Sequence, residues 1–349
     1  MAAFLFTIVL VAALAARPGA AADAFPSRPV RIVVPYAISG PPDIRGTTRV
    51  TRTYRAIAQH APPAISDVLA RIAAQGIEAG SPHRPVLERH PGAVTARGAL
   101  VVARAPADGH TLLLASNATM VINPHYFHGV PYDPERDFVA VAPLATMPFV
   151  LVVNASLPAE TVPELIAWLR PRLGEVNYAS SGDGSTGHLA GELFRRMARV
   201  SIVHVSYNGG TAALNGLAAG QVSVMFAALP LVLPYLENRA FRALGLTSAR
   251  RFERLPELPT LAEAGLPGYS IEGWFGIFAR ARTPAGPLAW LRERVSSVIA
   301  EPATRAVLLS YGLDPARMSL EQFATRIHTE TERWAPVLRA SRLPRDRES

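Results

Sequence analysis

The chain contains no cysteine and no lysine. Without cysteine there is no disulfide framework, no thiolate metal site and no acylated cysteine to act as an anchor. A fold of this size must then be held by its apolar core. Without lysine, all 35 basic residues are arginine, a substitution pattern that reads as codon composition in a GC-rich genome. Long apolar runs are missing too. Phe4 to Leu14 has the length of a signal-peptide hydrophobic region and falls short of the ~20 apolar residues that cross a bilayer as a helix. Ala20-Ala21-Ala22 and Ala22-Asp23-Ala24 are small-residue cleavage sites. Residues 1–24 are therefore expected to be a signal peptide removed near 22–24, leaving an exported chain with no membrane insertion. The net charge is +8, yet there is no dense basic run, no basic–aromatic interleaving and no reading motif. Nucleic acid is thus not an expected partner, and the charge acts only as a long-range bias toward anions. About 325 remaining residues suit one large or two medium domains.

Chemistry concentrates in Asn177 to Phe194, NYASSGDGSTGHLAGELF. Val176, Tyr178 and Ala179 suit a strand, Ser180 to Gly187 a turn, and Leu189, Glu192, Leu193 and Met197 recur at helical spacing. Such a turn leaves backbone N–H groups unpaired at a helix start, with the positive end of the dipole behind them. Ser180, Ser181, Ser185 and Thr186 add hydroxyls. The segment is suited to a carboxylate or phosphate. Gly182, Gly184 and Gly187 also match G-x-G-x-x-G, but no acid follows the next strand, Ser201 to Val205, so no nucleotide or other cofactor is implied.

Alternating strands and helices run along the rest. Strands are expected at Arg28–Pro35, Leu112–Ala115, Phe149–Asn154, Ile202–Val205, Val222–Phe226, Ala243–Leu246 and Trp274–Ala279. Helices are expected at Thr161–Leu169, with a Thr161/Glu164 capping box, at Ala212–Ala219, at Leu288–Ala300 and at Leu320–Ala340. This order argues for an α/β fold with largely parallel sheets. Ser116, Asn117 and Thr119 follow a strand end, where α/β sheets place ligands; the same residues also suit a helix cap.

Long ordered stretches carry a resemblance. They include PSRPVRIVVPYA (26–37), APADGHTLLLASNATMVINP (105–124), PYDPERDFVAVAPLATMPFVLVVN (131–154), VHVSYNGG (203–210), GQVSVMFAALP (220–230) and EGWFGIFARARTPAG (272–286). The chain resembles the Bug-type periplasmic solute-binding proteins of tripartite tricarboxylate transporters. The resemblance implies a two-lobe periplasmic-binding-protein fold (type 2-like) with a ligand cleft between the lobes. Residues 25–150 and 275–349 would form one lobe and 151–274 the other. It implies a monomeric, non-enzymatic receptor for a small organic anion, working with membrane subunits of a transporter, without cofactor or metal.

Ligand contacts are expected from Tyr36 and Ala37, from Ser116, Asn117 and Thr119, from Ser180, Ser181, Gly184, Ser185, Thr186 and His188, and from Tyr207, Asn208 and Gly209. Three departures stand out. An atypical insertion at about 38–66 leaves either Asp43 or Asp67 to act as the family's aspartate. Pro91-Gly92-Ala93-Val94-Thr95 replaces a PGAGG-like loop, removing glycines where φ > 0 is needed. Ala227 stands where relatives often place Asp, which favours an acid lacking an amino group. The alternatives are a sensory or orphan binding protein, a degenerate non-binding paralogue, and a hydrolase built on Ser185, His188 and Asp183. The hydrolase is disfavoured because three residues of one turn are poorly placed for a triad. His125, His128 and Asp133 lack the spacing of a metal motif.

Overall fold

The computed structural model describes residues 25–36, 65–236 and 241–340. The expected signal peptide, Ala37, Asp43 and almost all of the 38–66 insertion lie outside these residues.

The elements assemble two sheets. The first has six strands in the order β11-β4-β10-β3-β1-β2. These are β1 (Arg31–Val34), β2 (Val86–Arg89), β3 (Thr111–Ser116), β4 (Phe138–Met147), β10 (Gly273–Arg280) and β11 (Asp314–Pro315). The second has five strands in the order β7-β6-β8-β5-β9. They are β5 (Phe149–Asn154), β6 (Val176–Ser180), β7 (Ile202–Ser206), β8 (Val224–Ala228) and β9 (Phe241–Leu246).

The expectation of largely parallel sheets needs correction. β1 runs parallel to β2 and β3, and β6 parallel to β7 and β8. However, β10 is antiparallel to both β3 and β4, and β5 to both β8 and β9. Both sheets are mixed because the chain passes straight from one to the other. Only Pro148 separates β4 from β5, so no helix intervenes to restore direction. β10 returns beside that crossing, with Gly273 opposite Met147. A Cβ at Gly273 would lie 3.1 Å from the Met147 methyl.

Apolar runs became strands buried on both faces. Ile32 and Val34 point to one core cluster and Val33 to another. Val150 and Val152 are likewise separated from Leu151 and Val153. Successive side chains alternate faces, so each apolar pair feeds two layers. β4 has no such signature, because Pro143 interrupts its sequence. The strand accommodates it at a bulge, where Phe275 pairs with Ala145 but Gly276 pairs with Pro143. Helix Val162–Leu169 begins at the expected cap, the Thr161 hydroxyl accepting from Glu164 N at 3.3 Å.

The C-terminal helix, Leu320–Ala340, straps the return crossing. Trp274 Nε1 donates to Glu330 at 2.8 Å. Arg326 bridges Glu330 at 2.8 Å and Glu272 at 3.1 Å. Burial raises the Glu272 carboxyl's pKa against the pull of Arg326. Among the described residues no helix is long and apolar enough to cross a membrane.

Candidate ligand cleft between the two sheets

Two polar turns, one from each sheet, meet directly. Asn117 follows β3 and Thr186 opens the helix Thr186–Ala198. The Asn117 side-chain amide donates to the Thr186 hydroxyl at 3.1 Å, and both residues are buried. Next to Asn117, Ser116 Oγ accepts from the Tyr36 phenol at 2.8 Å. Thr119 is fully buried and lies 2.9 Å from Thr95, oxygen to oxygen. Burial raises the Tyr36 phenol's pKa, keeping it a neutral donor. On the opposite side Gly184, at φ +70°, leaves room for Tyr126; a Cβ there would sit 3.0 Å from the tyrosine ring. Tyr36, Ser116, Asn117, Thr119, Tyr126 and Thr186 are themselves uncharged, while Asp183 lies near enough to help raise the Tyr126 phenol's pKa and Asn117 shares a pocket with Glu272, Arg326, Glu330 and Arg333.

The serine-rich turn is organised from within. Ser185 caps the helix by accepting from His188 N at 3.2 Å. The His188 ring accepts from Gly184 N at 3.1 Å through Nδ1, so its hydrogen sits on Nε2. His188 stacks on His204 of β7, with ring centroids 4.0 Å apart and planes 8° from parallel. His204 Nε2 lies 2.7 Å from Ser180 Oγ, and its Nδ1 lies 3.4 Å from Asp183. The Ser180 hydroxyl is fully buried and also engages Gly182 O at 2.9 Å. Ser181 is exposed, and its carbonyl accepts from Gly209 N at 3.2 Å.

The Ser185–His188–Asp183 triad is not formed. Ser185 engages the backbone of His188 and not its ring. Ser180, His204 and Asp183 do line up, but the serine is closed off. Burial first, then the neighbouring His188, pushes His204 down to about 4, which makes it a poor base near neutrality. Asp183, His188 and His204 also bring one potential metal-ligand atom each within 4.8 Å. The stacked rings direct their lone pairs into parallel planes that do not meet at one ion, and His188 Nδ1 is already used.

The remaining expected contacts sit elsewhere. Asp67, in the first turn of the helix Ile65–Glu78, is held in a two-pronged pair with Arg89 at 2.5 and 2.6 Å. Ala227 is fully buried opposite Val150 in an apolar cluster, so its methyl group belongs to the core. Tyr207 gives its N–H to Ser180 O at 3.2 Å. Its ring packs over Gly216, where a Cβ would lie 2.3 Å from the phenol oxygen. Asn208 is exposed beside Gly209, which starts the helix Gly210–Ala218 at φ +97°. Thr95 belongs to the loop flagged for its lost glycines, and it does take positive φ, 76°. Sequence reasoning missed Asn123, Tyr126 and His204. Of these only His204, a polar residue inside an apolar strand, carried a local signal.

The stacked pair gives a pH expectation. Burial lowers both imidazoles below the ordinary 6.5. The unfolded chain therefore binds more protons between that value and the folded pKa values. Stability is complete above about pH 6.5 and falls as pH drops toward 4. Glu192 and Asp183 face the pair and oppose the shift without reversing it. Urea midpoints at pH 7 and pH 5 check this. The decline is expected to be shallower in His204→Gln, and an equal decline would place the titration elsewhere.

Comparison with known proteins agrees with this architecture. The family described as tripartite tricarboxylate transporter family receptor matches residues 69–343. A UPF0065 protein of Pseudomonas sp. (strain P51) is 34% identical, covering 92% of this chain and 88% of its own. Protein BugT of Bordetella pertussis is 30% identical, covering 91% and 90%. Among solved structures, Rpa4515 of R. palustris with adipate superposes with a TM-score of 0.73 at 31% identity, covering 90% of this chain and 98% of its own. MatC (Rpa3494) from Rhodopseudomonas palustris with bound malate gives 0.70 at 28% identity, covering 90% and 100%. With a family match across most of its length and a relative above 30% identity over nine-tenths of it, the chain belongs to the tripartite tricarboxylate transporter receptor family.

Proposed function

We propose that this protein is a periplasmic receptor that captures a small organic carboxylate between its lobes and delivers it to the membrane subunits of a tripartite tricarboxylate-type transporter. The observation that carries this reading is the Asn117–Thr186 contact, which brings two turns rich in hydroxyl and amide groups together across the two sheets. Neutral donors hold a carboxylate reversibly, which suits a protein that must release its cargo. Adipate and malate in the related structures point to dicarboxylates. In this reading residues 25–148 with 273–349 form one lobe and 149–272 the other, two residues from the expected limits of 25–150, 275–349 and 151–274, since β5 begins at Phe149 and β10 at Gly273, with Pro148 and Gly273 at the hinge. Residues 1–24 direct export and are removed near 22–24. The protein acts as a monomer and a binder, not as an enzyme. Tyr36, Ser116, Asn117, Ser181 and Thr186 reach the ligand, the fully buried Thr119 supports the first turn through Thr95, and Ser180, Ser185, His188 and Gly209 shape the second turn.

Thermal unfolding against adipate, malate, citrate, benzoate and glutamate tests the reading. A ligand at a hundred times its Kd stabilises the native state by about 2.7 kcal/mol and raises the melting temperature by several degrees. Thr186→Val keeps the shape but removes the hydroxyl, and is expected to weaken the best acid about fivefold to tenfold. No shift with any acid would sink the receptor reading. An unchanged affinity in Thr186→Val would move the site away from this contact.

A further inference from the structure

A groove of about 550 Å³ lies outside the cleft, at the β11 edge of the first sheet. Sites for small molecules span roughly 300–1,000 Å³. The helix Ala285–Ala300 forms one wall through Ser296, Ile299 and Ala300. β4 contributes Val141 and Pro143, and the segment from Pro315 to Leu320 closes the other side. Val141 and Ile299 are buried, and with Pro143, Pro315, Met318 and Leu320 they give the groove an apolar floor. None of the residues that build the cleft lines it.

Every charged side chain among the described residues lining this groove is an arginine: Arg292, Arg305 and Arg317. Their acid stands outside the lining. Arg305 and Arg317 both reach one oxygen of Glu253, Oε2, the second at 3.3 Å. Each spends only its Nη2 there, and a guanidinium carries five N–H donors. The three side chains are 34%, 49% and 51% exposed for Arg305, Arg317 and Glu253. Ion pairs so exposed are weakly held, so an incoming anion competes for the two guanidiniums at little loss. Arg292 has a neutral partner, its Nη2 donating to Ala140 O at 3.2 Å. Its buried Nε has no partner among the described residues. Asp314 opposes this charge from outside the groove. Counted with Glu253, it still leaves three arginines to two carboxylates.

We propose that this groove is a second ligand site, separate from the cleft, for an aliphatic carboxylate: Arg305 and Arg317 take the head group and the apolar floor takes the chain. A planar carboxylate matches the fork of a guanidinium. The chain is required because exposed arginines alone hold an anion weakly. Each methylene moved from water to the floor strengthens binding about fourfold. A short polar acid such as malate has no chain to bury and gains nothing here. The inference goes beyond the carboxylate-receptor reading and does not depend on it.

Calorimetric titration of the purified protein with decanoate, octanoate and decanol tests this. Decanoate is expected to bind about tenfold more tightly than octanoate, for two methylenes, and about tenfold more tightly than decanol, which lacks the charge. Arg317→Gln is expected to weaken decanoate about tenfold. Ser296→Trp fills the groove without touching a charge and is expected to abolish binding. Ser296 and Arg317 are both exposed, so urea midpoints equal to the parent's are expected and separate loss of the site from loss of the fold. Saturating adipate is expected to leave the decanoate affinity unchanged. No binding of decanoate by the parent, or normal binding by Ser296→Trp, would overturn the site. Equal binding of decanoate and decanol would remove the arginines from it and overturn the proposed ligand class. If adipate does not bind at all, the receptor reading is in difficulty on its own, and Ser296→Trp with Arg317→Gln still decides the groove.

Discussion

Arg326→Ala is expected to cost about 2–3 kcal/mol of folding stability, the range for losing hydrogen bonds to charged groups and below that for a fully buried ion pair. The guanidinium joins Glu272, Glu330 and, through Glu330, the Trp274 indole. Arg326, Glu272 and Glu330 side chains are each 20% exposed and line a shared pocket, so solvent takes over only part of the lost contacts. The deficit should depend on pH with a definite sign. Burial already raises the Glu272 pKa, and losing the cation raises it further. A carboxyl with a raised folded pKa binds its proton more readily in the native state, so its stabilisation is present at low pH and is lost as pH rises. The gap between the variant and the parent is therefore expected to be wider at pH 8 than at pH 5. Urea midpoints at both values measure it. A loss below 1 kcal/mol, or a gap that widens toward acid, would mean that the strap does not depend on this pair.

Gly76→Ala is expected to cost about 2 kcal/mol. Two effects compete. Alanine gains up to ~1 kcal/mol in a helix interior, while overpacking a close contact costs about 3 kcal/mol. The clash wins because of what the new methyl meets. It would lie 2.4 Å from the carbonyl oxygen of Arg294 and 2.8 Å from Val298 Cγ1. A backbone carbonyl within the helix Ala285–Ala300 cannot swing aside as a side-chain tip can. The helix Ile65–Glu78 must move, and with it the packing of Leu69, Ala73 and Ile77. Gly286→Ala is the control, with nothing within 4 Å of its Cβ position. It is expected to be neutral or slightly stabilising, and equal midpoints for the two variants would refute the close helix contact.

How much the sequence discloses depends on how local the cause is. Phe149–Asn154 and Leu320–Ala340 have the bounds expected of them, because their apolar patterns are continuous and their ends carry clear signals. β4 is hidden by Pro143, and its bulge is intelligible only beside β10. Asn117 and Thr186 are legible as polar residues at a strand end and a helix start, and the fold brings them together. Ala227 is not, because its place in the core depends on pairing with Val150. Asp67 is equally opaque, since Arg89, which neutralises it, arrives with a later strand. Asn123 looks like a turn residue. Its partner is a loop nearly thirty positions earlier, and that loop is legible from composition, since the glycines it lacks are missing where Ala93, Val94 and Thr95 carry positive φ.

The place of β10 in the first sheet bears on how the chain reaches this structure. That strand lies between β3 and β4, yet it is made after every strand of the second sheet. A chain emerging from its N-terminus can close the second sheet from one continuous run, residues 149–246. Until residue 280 follows, the first sheet exists only as β2-β1-β3 on one side and β4 on the other, each with an open edge able to pair wrongly. The last-made sheet strands thus complete the first-made sheet. Long-range pairing of this kind slows folding in general, and here the edges of β3 and β4 stay unpaired until β10 arrives.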